Sequence, residues 1–75
     1  MKIIITERIA EEGIQYLKDR DFEVDIKYGI SRDELLEIIK DYDAIIVRSV
    51  TKVNAELIDR AVNLKVAGRA GNGID

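Results

Sequence analysis

Two short, unbroken apolar runs and two interrupted ones, separated by three amphipathic stretches, leave this chain few architectures. "KIIIT" (2–6) and "AIIVRS" (44–49) are apolar until polar residues close them, the pattern of strands buried on both faces. "DFEVDIKYG" (21–29) alternates instead. Phe22, Val24, Ile26 and Tyr28 share one side, and Glu23, Asp25 and Lys27 the other. The fourth run, "LKVAG" (64–68), is broken by Lys65. The stretches between them repeat at helical spacing. Residues 8–20 place Ile9, Ala10, Gly13, Ile14 and Leu17 on one face. Residues 31–42 do the same with Leu35, Ile38, Ile39 and Tyr42, and residues 54–62 with Leu57, Ile58, Ala61 and Val62. Ser31 with Glu34 reads as a capping box, Asn54 as an N-cap, and Glu56 with Arg60 as an i,i+4 pair.

The order is therefore β-α-β-α-β-α-β, an α/β chain with parallel strands joined by right-handed crossovers. Continuously apolar strands belong in the middle of a sheet and alternating ones at its edges. That gives the order 2-1-3-4, a flavodoxin-like, doubly wound arrangement. Handedness then puts the first helix on one face and the other two on the opposite face. Beside the first helix, the face over the third and fourth strands is left bare, as in a truncated half of a doubly wound domain. Gly13 reads as a point of close approach between helix and sheet, and Tyr16, Tyr28 and Tyr42 as half-buried packing residues.

Composition narrows the chemistry. The 75 residues make one small domain with 47% apolar and 36% charged residues and a net charge of −3. That balance lacks the basic face that nucleic acids or anionic membranes require. There is no cysteine and no histidine, so disulfides, thiolate chemistry and the commonest general base and metal ligand are absent. No apolar run reaches the ~18 residues of a membrane span, and a cytoplasmic protein is expected.

In an open parallel sheet, ligands bind beyond the carboxyl ends of the strands, where the chain order reverses. Arg48 and Ser49 lie there, offering a guanidinium fork and a hydroxyl. So does "RAGNG" (69–73), whose backbone N–H groups are little obstructed. Together they suit an anion. Equally, Arg48 could be a strand-end cation paired with Glu7 or Asp43, and the glycines could be turn punctuation. Gly68, Gly71 and Gly73 have the spacing G-x-x-G-x-G, which is the wrong order for a dinucleotide fingerprint.

The upstream "IAEEGIQYLKDRDFEVDIKYGISRDELLEIIKDYDAIIVRS" and the run "YDAIIVRSVTKVNAELIDRAVNLKVAGRAGNGID" together resemble the D-2-hydroxyacid dehydrogenase family, on the side that acts on a phosphorylated 2-hydroxy acid. The resemblance covers essentially the whole chain. It implies the first part of a flavodoxin-like substrate-binding domain, with Arg48 and Ser49 near the substrate's carboxylate or phosphate. It also implies that the backbone around Gly71, Asn72 and Gly73 holds a carboxylate. The NAD-binding Rossmann domain, a catalytic arginine and a histidine–glutamate pair are implied to lie beyond residue 75. These residues alone are then expected to be catalytically silent, without catalytic residue, bound cofactor or metal, and to bind a small anionic 2-hydroxy acid weakly at most. The bare sheet face gives a further expectation of a self-associating module, a homodimer. One piece of a split enzyme, or a designed or ancestral-type half-flavodoxin, are the alternatives.

Overall fold

A computed structural model describes residues 1–48 and 51–69. Four strands form one parallel sheet: β1 (Lys2–Ile5), β2 (Glu23–Ile26), β3 (Ala44–Val47) and β4 (Val66–Arg69), in the order β2-β1-β3-β4. Between them run α1 (Glu11–Asp19), α2 (Arg32–Ile38) and α3 (Ala55–Arg60). The flavodoxin-like order expected from the apolar patterns is the order observed.

The alternation of side chains along the central strands divides the core in two. Ile3, Ile5 and Ala44 pack with Ile14 of α1, while Ile4, Ile45 and Val47 pack with Leu35, Ile39, Tyr42, Leu57 and Ala61 on the other face. Ile4, Ile5, Leu35, Ile39, Ile45 and Leu57 are fully buried, and each such side chain contributes about 1.5–3 kcal/mol over its exposed state. The expected gap is present as well. Val66 lies on the α1 side of β4, opposite Ala44 in the register, and is 51% exposed.

The helices are shorter than the sequence spacing suggests, and their ends explain why. Before α1, Ala10 has an extended backbone (ψ 137°) and makes no side-chain capping bond, so the helix starts at Glu11. It ends in a Schellman motif. Asp21 takes a left-handed φ of 63°, its N–H donates to the Lys18 carbonyl, and the Phe22 N–H donates to the Leu17 carbonyl. Phe22 and Leu17 join the same apolar cluster. Ser31 caps α2 by accepting from the Glu34 N–H at 3.2 Å, and Asn54 caps α3 by accepting from the Leu57 N–H at 3.2 Å. After Ile38 the second helix tightens into a 3-10 turn, Ile39–Asp41, which still delivers Ile39 and Tyr42 to the core.

Four expectations need correction. The helix α3 ends at Arg60, before Ala61 and Val62; Leu57 and Ala61 are buried, while Ile58 is 55% and Val62 75% exposed. Gly13 makes no close approach to the sheet, since a Cβ there would meet only the Ile9 side chain, at 3.7 Å. Of the tyrosines, Tyr42 is buried and Tyr16 and Tyr28 are exposed. Glu56 sits 3.4 Å from Arg32 of α2, in place of the Arg60 pairing.

Polar groups tie the amino edge of the sheet. Asp43 Oδ2 accepts the Lys2 N–H at 2.8 Å, and its Oδ1 lies 3.0 Å from Lys65 Nζ. These donors, the Lys2 N–H foremost, hold the Asp43 carboxyl below its ordinary value of 3.8. Beneath β2, the Tyr42 hydroxyl donates to Asp25 at 2.7 Å. Burial first, and that hydrogen bond second, push the phenol well above its ordinary value.

Two exchanges of backbone freedom should each raise stability by about 0.5–1 kcal/mol in urea titrations: Gly13→Ala within α1, and Asp21→Gly at its left-handed end. A second outcome concerns acid. A carboxyl whose pKa is lowered by folding adds stability above its unfolded value, and that stability is lost as pH falls through the folded value. Asp43→Asn should therefore flatten the fall in urea midpoint between neutral pH and about pH 3.

Candidate functional site

The carboxyl edge of the sheet gathers Thr6 and Glu7 after β1, Tyr28 and Gly29 after β2, Arg48 after β3, and Arg69 at the end of β4. Gly29 turns the chain away from β2 with φ of 76°, a conformation that side chains rarely adopt, and its N–H donates to the Thr6 carbonyl. Thr6 is 2% exposed. Its N–H extends the β1–β3 ladder to the Ile46 carbonyl at 3.2 Å. Its hydroxyl lies 3.0 Å from that of Thr51.

Glu7 organises the segment after β3. One carboxylate oxygen, Oε2, accepts both the Arg48 N–H and the Thr51 N–H, each at 2.9 Å. Arg48 Nη1 donates to the Arg8 carbonyl at 3.3 Å, and Arg8 stacks over the Tyr28 ring at 5.2 Å. On the other side, Arg32 donates to the Lys52 carbonyl and to Asn54 Oδ1, both at 2.6 Å. Residues 51–54 are thus held from β1 and from α2.

Two open depressions flank Arg48 and Thr51. One, of about 450 Å³, lies over the ends of β1 and β2 beside Thr6, Glu7, Arg8, Tyr28, Gly29 and Ile30. The other, of about 370 Å³, lies over β3 and β4 and is lined by Val47, Lys52, Val53, Ala67, Gly68 and Arg69 as well. Among the described residues lining this second depression are three cations, Arg48, Lys52 and Arg69, and no carboxylate. Such a wall is suited to an anion bearing more than one charge. No group of three or more acidic side chains that could hold a metal occurs among the described residues.

Of the site residues expected from sequence, Arg48 is where it was placed, on the carboxyl edge. Ser49, Gly71, Asn72 and Gly73 lie outside the described residues. The anticipated Arg48–Glu7 pairing takes another form, because Glu7 holds the arginine's backbone N–H. Sequence reasoning did not assign Thr51, Lys52 or the ties made by Arg32 to the site. Nothing in the periodicity of "VTKVN" (50–54) marks them as site residues; the signals are their position just after a central strand and the place of Thr51 and Lys52 in the run that carries the family resemblance.

Residues 3–75 match the family model described as "D-isomer specific 2-hydroxyacid dehydrogenase, catalytic domain". The chain belongs to this family. Over all 75 residues it is 51% identical to D-3-phosphoglycerate dehydrogenase of Archaeoglobus fulgidus and 45% identical to that of Methanocaldococcus jannaschii. The human D-3-phosphoglycerate dehydrogenase is 38% identical over 74 residues. The chain spans 14% of the length of each of these relatives. The fold also superposes on the PH0520 protein of Pyrococcus horikoshii with a TM-score of 0.85 and 31% identity, covering 99% of this chain and 22% of that one. For the TT0316 protein of Thermus thermophilus the values are 0.82 and 27%, over 100% of this chain and 25% of that one.

In this member of the 2-hydroxyacid dehydrogenase family, the described residues do not fit a dinucleotide. The first β-α turn, residues 6–10, has no glycine and carries Glu7, where a pyrophosphate would need bare N–H groups and no negative charge.

Thr6→Val keeps the shape of the buried side chain and removes its hydroxyl. The loss should cost about 1 kcal/mol in chemical denaturation, with amide shifts concentrated at Thr51 and its neighbours.

Proposed function

We propose that these residues form the anion-holding wall of the substrate cleft in a D-3-phosphoglycerate dehydrogenase. The whole protein would oxidise the 2-hydroxyl of 3-phosphoglycerate with NAD. The convergence of Arg48, Lys52 and Arg69 on one depression free of carboxylates among the described residues carries this reading. Phosphoglycerate bears a carboxylate and a phosphate, and guanidinium forks bind both groups bidentately. Arg48 and Ser49 would meet one of them, and the backbone at Gly71, Asn72 and Gly73 the carboxylate. Proton and hydride transfer would fall to the rest of the protein, since the 75 residues contain no histidine and the described ones do not fit a dinucleotide. The segment would be part of a flavodoxin-like substrate domain in a cytoplasmic enzyme.

A second reading, self-association of these 75 residues as a homodimer, is favoured by the exposed Val66 beside the half-buried Ile46 on the face that α1 leaves uncovered. A purely monomeric sedimentation profile at high micromolar concentration would remove it.

For the main reading, 3-phosphoglycerate added to the isotope-labelled chain should shift the amides of Arg48, Thr51, Lys52 and Arg69, with a Kd on the order of 1 mM, about −4 kcal/mol. Arg48→Ala should abolish the shifts. A spectrum unmoved by tens of millimolar ligand would sink the proposal.

A further inference from the structure

The turn after β1 brings an acidic side chain into a basic neighbourhood. Beyond Glu7 stand Arg8, Arg48 and Lys52, and a carboxylate directed at the depression would weaken its hold on an anion. Glu7 lines the depression over β1 and β2, not the one walled by Arg48, Lys52 and Arg69. Its Oε2 accepts the backbone N–H of Arg48 and that of Thr51, both at 2.9 Å. Hydrogen bonds to an ionised acceptor are about twice as strong as neutral ones. The same segment is gripped by the Thr6–Thr51 hydroxyl contact at 3.0 Å and by Arg32 at the Lys52 carbonyl. Glu7 is therefore the anionic member of a set of ties that fixes where the Arg48 backbone sits, and hence where its guanidinium reaches.

We propose that Glu7 is a positioning residue for anion binding, acting through the backbone of Arg48 and Thr51 and never touching the ligand. This inference rests on the reading that Arg48 meets the substrate's anionic group. If it holds, an acidic side chain bonded to the Arg48 backbone improves anion binding, against the expectation from charge alone.

The test uses a chimera in which residues 1–75 replace the matching segment of the Archaeoglobus fulgidus dehydrogenase, assayed for KM and kcat with 3-phosphoglycerate and for KM with NAD. Glu7→Ala should raise KM for phosphoglycerate about tenfold, the equivalent of about 1.4 kcal/mol, and leave kcat and the KM for NAD unchanged. Glu7→Gln, which keeps an acceptor oxygen without the charge, should recover most of that loss. In an Arg48→Ala background, Glu7→Ala should add little, because its effect passes through the arginine. Should the alanine variant not fold, Glu7→Asp decides, since its shorter reach predicts a smaller rise in KM.

If Arg48→Ala leaves KM unchanged, the reading of the site fails and Glu7 loses its object. If Arg48→Ala raises KM while Glu7→Ala and Glu7→Asp do not, only the role of Glu7 is overturned. A drop in kcat and melting temperature at constant KM, or full additivity in the double variant, also overturns it.

Discussion

The pairing of β1 with β3 is the constraint on which the rest of the molecule depends. Ile3, Ile4 and Ile5 have almost no contact with water, so β1 must have a layer on each face and a partner on each edge. Placing β3 beside it, with β2 on the far side, sends the first crossover one way and the later ones the other. That reversal opens a crevice at the carboxyl edge and leaves α1 alone on its face. The position of the basic wall and the exposure of Val66 both follow from it.

The two edges of the sheet divide the work. At the amino edge, the Asp43 carboxylate joins β1 to the approach to β4 through the Lys2 N–H and the Lys65 ammonium. Its ordinary task is register. At the carboxyl edge, Glu7 makes a comparable tie between β1 and the segment after β3, but among cations suited to a ligand. The same chemical group thus serves alignment at one end and the placement of a binding side chain at the other.

Much of the fold was legible in the residues. Continuous against alternating runs gave the strand order, and Ser31 and Asn54 marked their helix starts because a side-chain oxygen at the N-cap is a local signal. What escaped depended on distance. Ile58 and Val62 keep helical spacing with Leu57 and Ala61, yet the helix stops at Arg60, so the spacing does not carry all four inward. Gly13 reads as a contact until the path of the helix shows nothing opposite it. For the site, Arg48 was legible as a strand-end cation. The grip of Glu7 on a backbone 41 residues away was not, because no pattern of side chains records a hydrogen bond to a main-chain amide.

Among the described residues, β1 and β3 contribute to both apolar clusters, and this sets an order of opening. An amide in β1 exchanges with solvent only when the layers on both of its sides give way, close to global unfolding. Those of β4, with a strand on one edge and an exposed valine, exchange through cheap local fraying. Arg69 therefore stands on an edge strand of the sheet, and an anion bridging it to Arg48 would slow deuterium uptake there long before it altered the centre.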